Sequence, residues 1–173
     1  LDTGSTDNTV AKLKELGAIV EQKIINPWRF DVARNESLKL VPADTDIYVC
    51  TDIDETISEG WRKELEELWQ EDTNQAYYEY IYSKNSSGKP TLTFQFDKIH
   101  DKNFEWECSI HEVLKYIGEE KKKTIKLPNV KFTHHRDLTK DRSMYKTLLI
   151  ECAEERPNDS RTARLLIREY VKY

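Results

Sequence analysis

Cysteine is scarce in these 173 residues: Cys50, Cys108 and Cys152 are three, odd in number, widely spaced, and include no C-x-x-C. That usage argues against a disulfide framework or a tetrahedral zinc site and fits reduced thiols in a cytosolic setting. Basic residues are in deficit, 27 Lys and Arg against 32 Asp and Glu, for a net charge of -5. A mildly acidic chain lacks the basic footprint of a general nucleic-acid binder, so no nucleic-acid partner is expected. The one basic run, Lys121-Lys122-Lys123, follows Glu119-Glu120 and reads as a solvated turn. No apolar run is long enough to cross a bilayer and no stretch has the form of a secretory signal, so the expected location is cytoplasmic. Leu1-Asp2-Thr3-Gly4-Ser5 opens without methionine and reads as a strand end entering a turn, so a fragment cut within a domain is expected.

What is present is enough for one domain with a small appendage. Hydrophobic residues make up 38% and charged residues 34%, so a core is affordable but much of the chain lies at a wet surface. The chain is organised around Asp46-Ile47-Tyr48-Val49-Cys50-Thr51-Asp52-Ile53-Asp54-Glu55, an apolar β-type run expected as a central strand that ends in three carboxylates. In extended backbone, residues two apart share a face, so Asp52 and Asp54 are expected in one crevice with Ile53 pointing inward. Two carboxylates aimed together call for a cation, and a hard divalent ion shared with substrate phosphates suits a D-x-D at a strand end. The plainer alternative is a solvated loop whose acids cap the helix that follows.

Before this stretch, Asp2 to Thr9 is rich in turn formers. Asp7 or Thr6 can cap a helix carrying Val10, Leu13 and Leu16 until Gly17 stops it, and Ala18 to Ile24 reads as a short strand. Phe30 to Leu40 has helical spacing and is closed by Pro42 and Asp44. After it, Ser58 to Gln70 reads as a helix whose Trp61, Leu65, Leu68 and Trp69 form a packing stripe. Gln75 to Lys98 alternates aromatics around Asn85-Ser86-Ser87-Gly88-Lys89-Pro90, a β-hairpin whose face is either half-buried or a platform for acceptor sugar rings. Phe104 to Tyr116 gathers further titratable residues, and Val130 to Thr133 is a last strand delivering His134-His135-Arg136-Asp137. Lys140 to Glu155 and Ser160 to Tyr173 read as two helices joined by Arg156-Pro157-Asn158-Asp159, resembling a helical-repeat unit.

Together these segments resemble a family 2 glycosyltransferase of the GT-A fold, in the bacterial group often fused to tetratricopeptide-like helices. Asp2-Thr3-Gly4-Ser5-Thr6-Asp7-Asn8-Thr9 is similar to that family's D-x-(G/S)-S-x-D-x-T turn, and Phe30-Asp31-Val32-Ala33-Arg34-Asn35 to its F-x-x-A-R-N helix. Thr51-Asp52-Ile53-Asp54-Glu55 resembles its L-D-A-D-E metal motif with Thr51 replacing an apolar residue, and Trp106 through Glu112 resembles W-x-x-x-(V/I)-H-E. Order and spacing agree over nearly the whole chain. The resemblance implies an α/β, GT-A (Rossmann-like) mixed sheet flanked by helices over residues 1–137, without the family's first strand and helix. It also implies a C-terminal helical hairpin over residues 138–173, opening a helical repeat region able to contact other proteins. The missing strand would leave a sheet edge unpaired, and weak donor binding is the expected consequence.

By the same resemblance, Asp2 contacts the base or ribose of a nucleoside-diphosphate sugar, and Arg34 lies near its diphosphate, a task suited to a delocalised cation. Asp52 reaches the ribose, or the metal through water, and Asp54 ligates Mn²⁺ or Mg²⁺ directly. The structural alternatives are an Asx turn for Asp2 and a surface pair with Asp31 or Glu36 for Arg34. The implied reaction moves the sugar with inversion to a hydroxyl of a glycan, lipid or protein acceptor. It needs a cation at the departing diphosphate and a base at the acceptor hydroxyl. Glu112 is the favoured base, with His111 orienting it or touching phosphate; alternatively the two merely cap a helix. His134 or His135 is a further metal ligand, the alternative being a pair of surface histidines, and strand alternation puts them on opposite faces, so both cannot serve equally. Two other classes compete: a nucleotidyltransferase-like enzyme, and an inactive domain serving as a protein-interaction scaffold.

Overall fold

The computed structural model describes residues 1–137, 139 and 143–171; Lys140 and Tyr173, the expected outer ends of the C-terminal helices, lie outside them. The chain is mixed α/β and divides into two compact units.

The first unit begins with α1 (Thr9–Glu15). The N-cap is Asn8, without a side-chain cap bond, so neither Asp7 nor Thr6 is the cap expected; Asp7 Oδ1 instead accepts the Thr9 amide at 2.9 Å from one residue further out. Its end is a Schellman turn, in which the Gly17 amide donates to Lys14 O and the Ala18 amide to Leu13 O, each at 3.0 Å. Gly17 stands at φ 84°, where a side chain would be strained. The strand expected over Ala18–Ile24 does not form. A single parallel bridge joins Asp2 to Gln22, and Ile19 and Ile24 remain 85% and 78% exposed. One paired residue supplies neither a ladder nor a covered face, and a two-stranded pairing is marginal even when longer. Helix α2 (Phe30–Leu38) follows as expected.

The second unit opens with β1 (Tyr48–Val49), then β2 (Glu55–Ile57), α3 (Trp61–Leu68), β3 (Gln75–Lys84) and β4 (Pro90–His100). Strands β5 (Phe104–Glu107) and β6 (Val113–Tyr116) pair as a separate two-stranded sheet whose residues 106–115 belong to the first unit, and β7 (Thr124–His134) is again in the second. The main sheet has the order β1-β4-β3-β7-β2. It is mixed: β3 and β7 run parallel, and the other pairs are antiparallel.

The strand before the acids is therefore two residues long and at the sheet edge, not central. Long β3, aromatic and buried over most of its length, holds the middle instead, because it can bury side chains against neighbours on both sides. The expected hairpin is present as β3 and β4. Asn85 Oδ1 ties its tip by accepting from the Ser87 and Lys89 amides at 3.1 and 2.9 Å. Tyr78 and Phe132 stack at 4.0 Å in the core, and each such ring contributes about 1.5–3 kcal/mol on full burial. Leu65 is buried and Trp61 and Trp69 pack beside it, so the α3 stripe is packing, while Leu68 stays 39% exposed.

Helices α4 (Met144–Glu155) and α5 (Ser160–Val171) belong to the first unit. Asp159 caps α5 by accepting the Arg161 and Thr162 amides at 3.1 and 3.3 Å. Ile110, Leu148 and Leu149 form this unit's core, with Trp28, Phe30 and Tyr145 packed on it. All three cysteines are free thiols. Among the described residues no helix is long and apolar enough to cross a membrane.

Candidate functional site

The acidic stretch does not stay extended. Ile53 and Asp54 form a turn closed by the Glu55 amide donating to Asp52 O at 3.0 Å, and Ile53 is 88% exposed rather than inward. With the alternation broken, Asp52 and Asp54 face different partners instead of one crevice. Asp52 Oδ2 meets the ammonium of Lys98 at 2.7 Å. The third acid, Glu55, is fully enclosed. Its Oε1 accepts Tyr80 Oη at 2.7 Å and Lys98 Nζ at 3.3 Å, and its Oε2 accepts the Asp52 amide at 3.0 Å. Lys98 Nζ also lies 5.0 Å from the centre of the Phe96 ring. Burial, and then the bond to Glu55, push the Tyr80 hydroxyl well above the usual phenol range, so it stays a proton donor. Glu55 thus locks the turn from inside, and Lys98 neutralises Asp52.

Asp54 is left to the histidines. The β2–β7 register sets Glu55 opposite His134, which brings His134 Nε2 to 3.4 Å from Asp54 Oδ2. His134 Nδ1 is 3.4 Å from the Tyr82 carbonyl, and its ring stacks on Tyr82 at 5.3 Å. The two ring nitrogens of His134 therefore each face an acceptor oxygen, the Tyr82 carbonyl and the Asp54 carboxylate. His135 goes elsewhere. It is exposed, its amide donates to Asp54 O at 2.7 Å, and its Nε2 lies 2.9 Å from Thr56 Oγ1. Of the two histidines, His134 is the one whose ring faces the Asp54 carboxylate.

Among the described residues no group of three or more His, Cys, Asp or Glu is placed to hold a metal ion. Asp54 and His134 are a two-donor pair. Two adjacent ligands of an octahedral ion with bonds of about 2.1 Å are about 3 Å apart, close to the separation here. Mg²⁺ and Mn²⁺ commonly take one or two protein ligands and complete their shell with water and substrate phosphate. The pair by itself supplies two donors, fewer than the three that would make a metal-holding group, so among the described residues the set is incomplete.

The first unit carries the other expected residues. Arg34 Nε donates to Glu112 Oε1 at 3.0 Å, with both side chains mostly buried, and the guanidinium lies 5.1 Å from the Trp106 ring. Arg34 is therefore not in a surface pair: Asp31 is bound by Arg29, and Glu36 by Lys23 and Lys39. Asn35 clamps the Trp106 backbone at both its N–H and its C=O, each at 2.8 Å, which ties the A-R-N helix to the segment bearing Glu112. Glu112 precedes strand β6, so it caps no helix. His111 is exposed and left-handed at φ 52°, its carbonyl accepting Arg161 Nη1 at 2.9 Å. Asp2 closes an Asx turn, its Oδ1 taking the Gly4 and Ser5 amides and Gln22 Nε2. Bonds from Ser5 and Gln22 hold its carboxyl down at about 2.

Sequence reasoning missed Lys98, Tyr80, Asn35 and the role of Glu55. One signal was available: Lys98 shares the period-two face of Phe94 and Phe96, and a lysine on an apolar face needs buried carboxylates. No family model matches the chain, and no curated protein matches it.

Proposed function

We propose that the chain works as an inverting glycosyltransferase, moving a sugar from a nucleoside-diphosphate donor to an acceptor hydroxyl with a divalent ion. The observation that carries this reading is the Asp54–His134 pair. A carboxylate oxygen faces an imidazole nitrogen at 3.4 Å, with a backbone carbonyl behind the ring. Those two residues would hold the ion, which supplies Lewis-acid neutralisation of the departing diphosphate. Resemblance of motifs adds Asp2 and Asp52 for the nucleotide, Arg34 for phosphate oxygens, and Glu112 to take the acceptor hydroxyl proton on a carboxylate oxygen. Glu112 is paired with Arg34, so accepting a proton from substrate requires that pair to open. Hydrolysis or transfer of UDP- and GDP-sugars with Mn²⁺, measured on the full-length protein, tests the reading. Activity abolished by Asp54→Asn is the expected result; undiminished activity in that variant overturns it.

A further inference from the structure

Cys50 follows β1 at the edge of the main sheet, and its amide donates to Lys98 O at 3.0 Å, continuing the register that pairs Tyr48 with His100 and Val49 with Ile99. Residues two apart in extended chain share a face, so Cys50 points to the side of Tyr48, whose ring meets the His100 ring edge-on at 5.5 Å. Cys50 Sγ reaches the same imidazole, 3.6 Å from Nε2. The proton positions follow from the partners. His100 Nδ1 lies 2.6 Å from the Asp101 carbonyl, which can only accept, so the ring proton is on Nδ1. His100 is fully buried and burial lowers its pKa, so the imidazole is neutral and Nε2 keeps its lone pair. The Cys50 thiol therefore donates to Nε2. A nucleophile, a base within reach and a third group orienting that base are the parts that activate a cysteine.

The other two thiols are placed differently. Cys108 and Cys152 are buried, whereas Cys50 is partly exposed. Cys108 Sγ accepts from Arg156 Nη1 at 3.2 Å, yet burial pushes its pKa up to about 11, and Cys152 Sγ lies 3.6 Å from Thr162 Oγ1. We propose that Cys50 and His100 form a reactive thiol–imidazole pair that exchanges with small disulfides. Cys50 Sγ attacks one sulfur of the disulfide as its proton passes to His100 Nε2, the S–S bond breaks, and the departing thiolate takes that proton. One S–S and one S–H bond are lost and one of each is formed, so no further oxidant is needed. Because burial disfavours a charged imidazole, the proton stays on His100 only in passing and the resting pair is uncharged. The pair requires neither the ion nor the sugar donor proposed above.

The test is incubation of the full chain with oxidised glutathione at neutral pH, with the rate at each cysteine read by peptide mass mapping. Cys50 should gain one glutathione while the buried Cys108 and Cys152 stay unmodified. Although partly buried, Cys50 should react at least as fast in the native chain as in the chain unfolded in urea, where the thiol is open but has no base beside it. His100→Gln should slow the native reaction by at least about tenfold, with the fold checked by circular dichroism. If that variant is unfolded, the comparison of native with urea-unfolded wild type decides. A native Cys50 slower than the unfolded one, or an unchanged rate in folded His100→Gln, overturns the proposal.

Discussion

Replacing Glu55 by glutamine probes the internal lock of the acidic turn. Glu55 Oε1 receives two donors, Tyr80 Oη at 2.7 Å and Lys98 Nζ at 3.3 Å, and Oε2 receives the Asp52 amide at 3.0 Å. Glutamine keeps the shape but has one oxygen. Whichever way its amide turns, the NH₂ group faces a donor, and a buried donor left unpaired costs about 1–3 kcal/mol. The charge is lost as well, and removing one member of a buried ion cluster costs about 3–5 kcal/mol. The Glu55 side chain is 0% exposed and that of Lys98 6%, so solvent screens little of this. Because Asp52 still holds Lys98, the loss should fall near the lower end, about 3 kcal/mol, against a typical total of about 5–15 kcal/mol. Tyr80→Phe removes one hydrogen bond to a charged acceptor and should cost about 1.5–3 kcal/mol. Since both changes act on the same Tyr80–Glu55 bond, the double variant should lose less than the sum, by about 0.5–3 kcal/mol. Urea unfolding followed by circular dichroism and tryptophan fluorescence gives all three values. A Glu55→Gln chain within about 1 kcal/mol of wild type, with an unchanged m-value, would refute the lock.

Two further outcomes are expected. His100 is fully buried, and burial lowers its pKa, so the native imidazole stays neutral where the unfolded one binds a proton. Its contribution to stability is therefore complete above about pH 6.5 and is lost as pH falls toward the lowered native value, with a slope of up to about 1.4 kcal/mol per pH unit. Urea stability measured at several pH values should show that slope in wild type and lose it in His100→Gln. For the pair formed by Arg34 and Glu112, a double-mutant cycle with Arg34→Met and Glu112→Gln should give a coupling of about 0.5–3 kcal/mol. Arg34→Met should be the costlier single change, because the guanidinium also covers Trp106.

Local elements were readable wherever one chain segment carries its own signal. The β3–β4 hairpin follows from alternating aromatics around Asn85 and Gly88, and the end of α1 follows from Gly17, all within a few residues of what they control. Reading failed where the deciding partner is remote or missing. Ala18 to Ile24 has strand composition, but a strand is a property of its neighbours, and only Asp2 pairs there. Ile47-Tyr48-Val49 looks more central than it is because its apolar run says nothing of competition from the longer, more aromatic β3.

The acidic motif shows the same division inside one site. Its composition correctly says that a cation is required, since three carboxylates in four positions repel one another in any fold. It does not say which cation. Strand geometry, applied to Asp52-Ile53-Asp54, puts both aspartates on one ion; the turn at Ile53 and Asp54 instead sends one to Lys98, 46 residues away in sequence, and the other to His134. Only the β1–β4 and β2–β7 pairings, made across the sheet, bring those two partners in. Reading the D-x-D as two side chains in one crevice assumes that the strand continues through the motif, and the turn at Ile53 and Asp54 ends it there. The sequence hints at the correction, because Lys98 follows Phe94 and Phe96 at alternate positions, although a register shift in β4 between Phe96 and Ile99 interrupts the alternation where Lys98 turns in to Asp52 and Glu55.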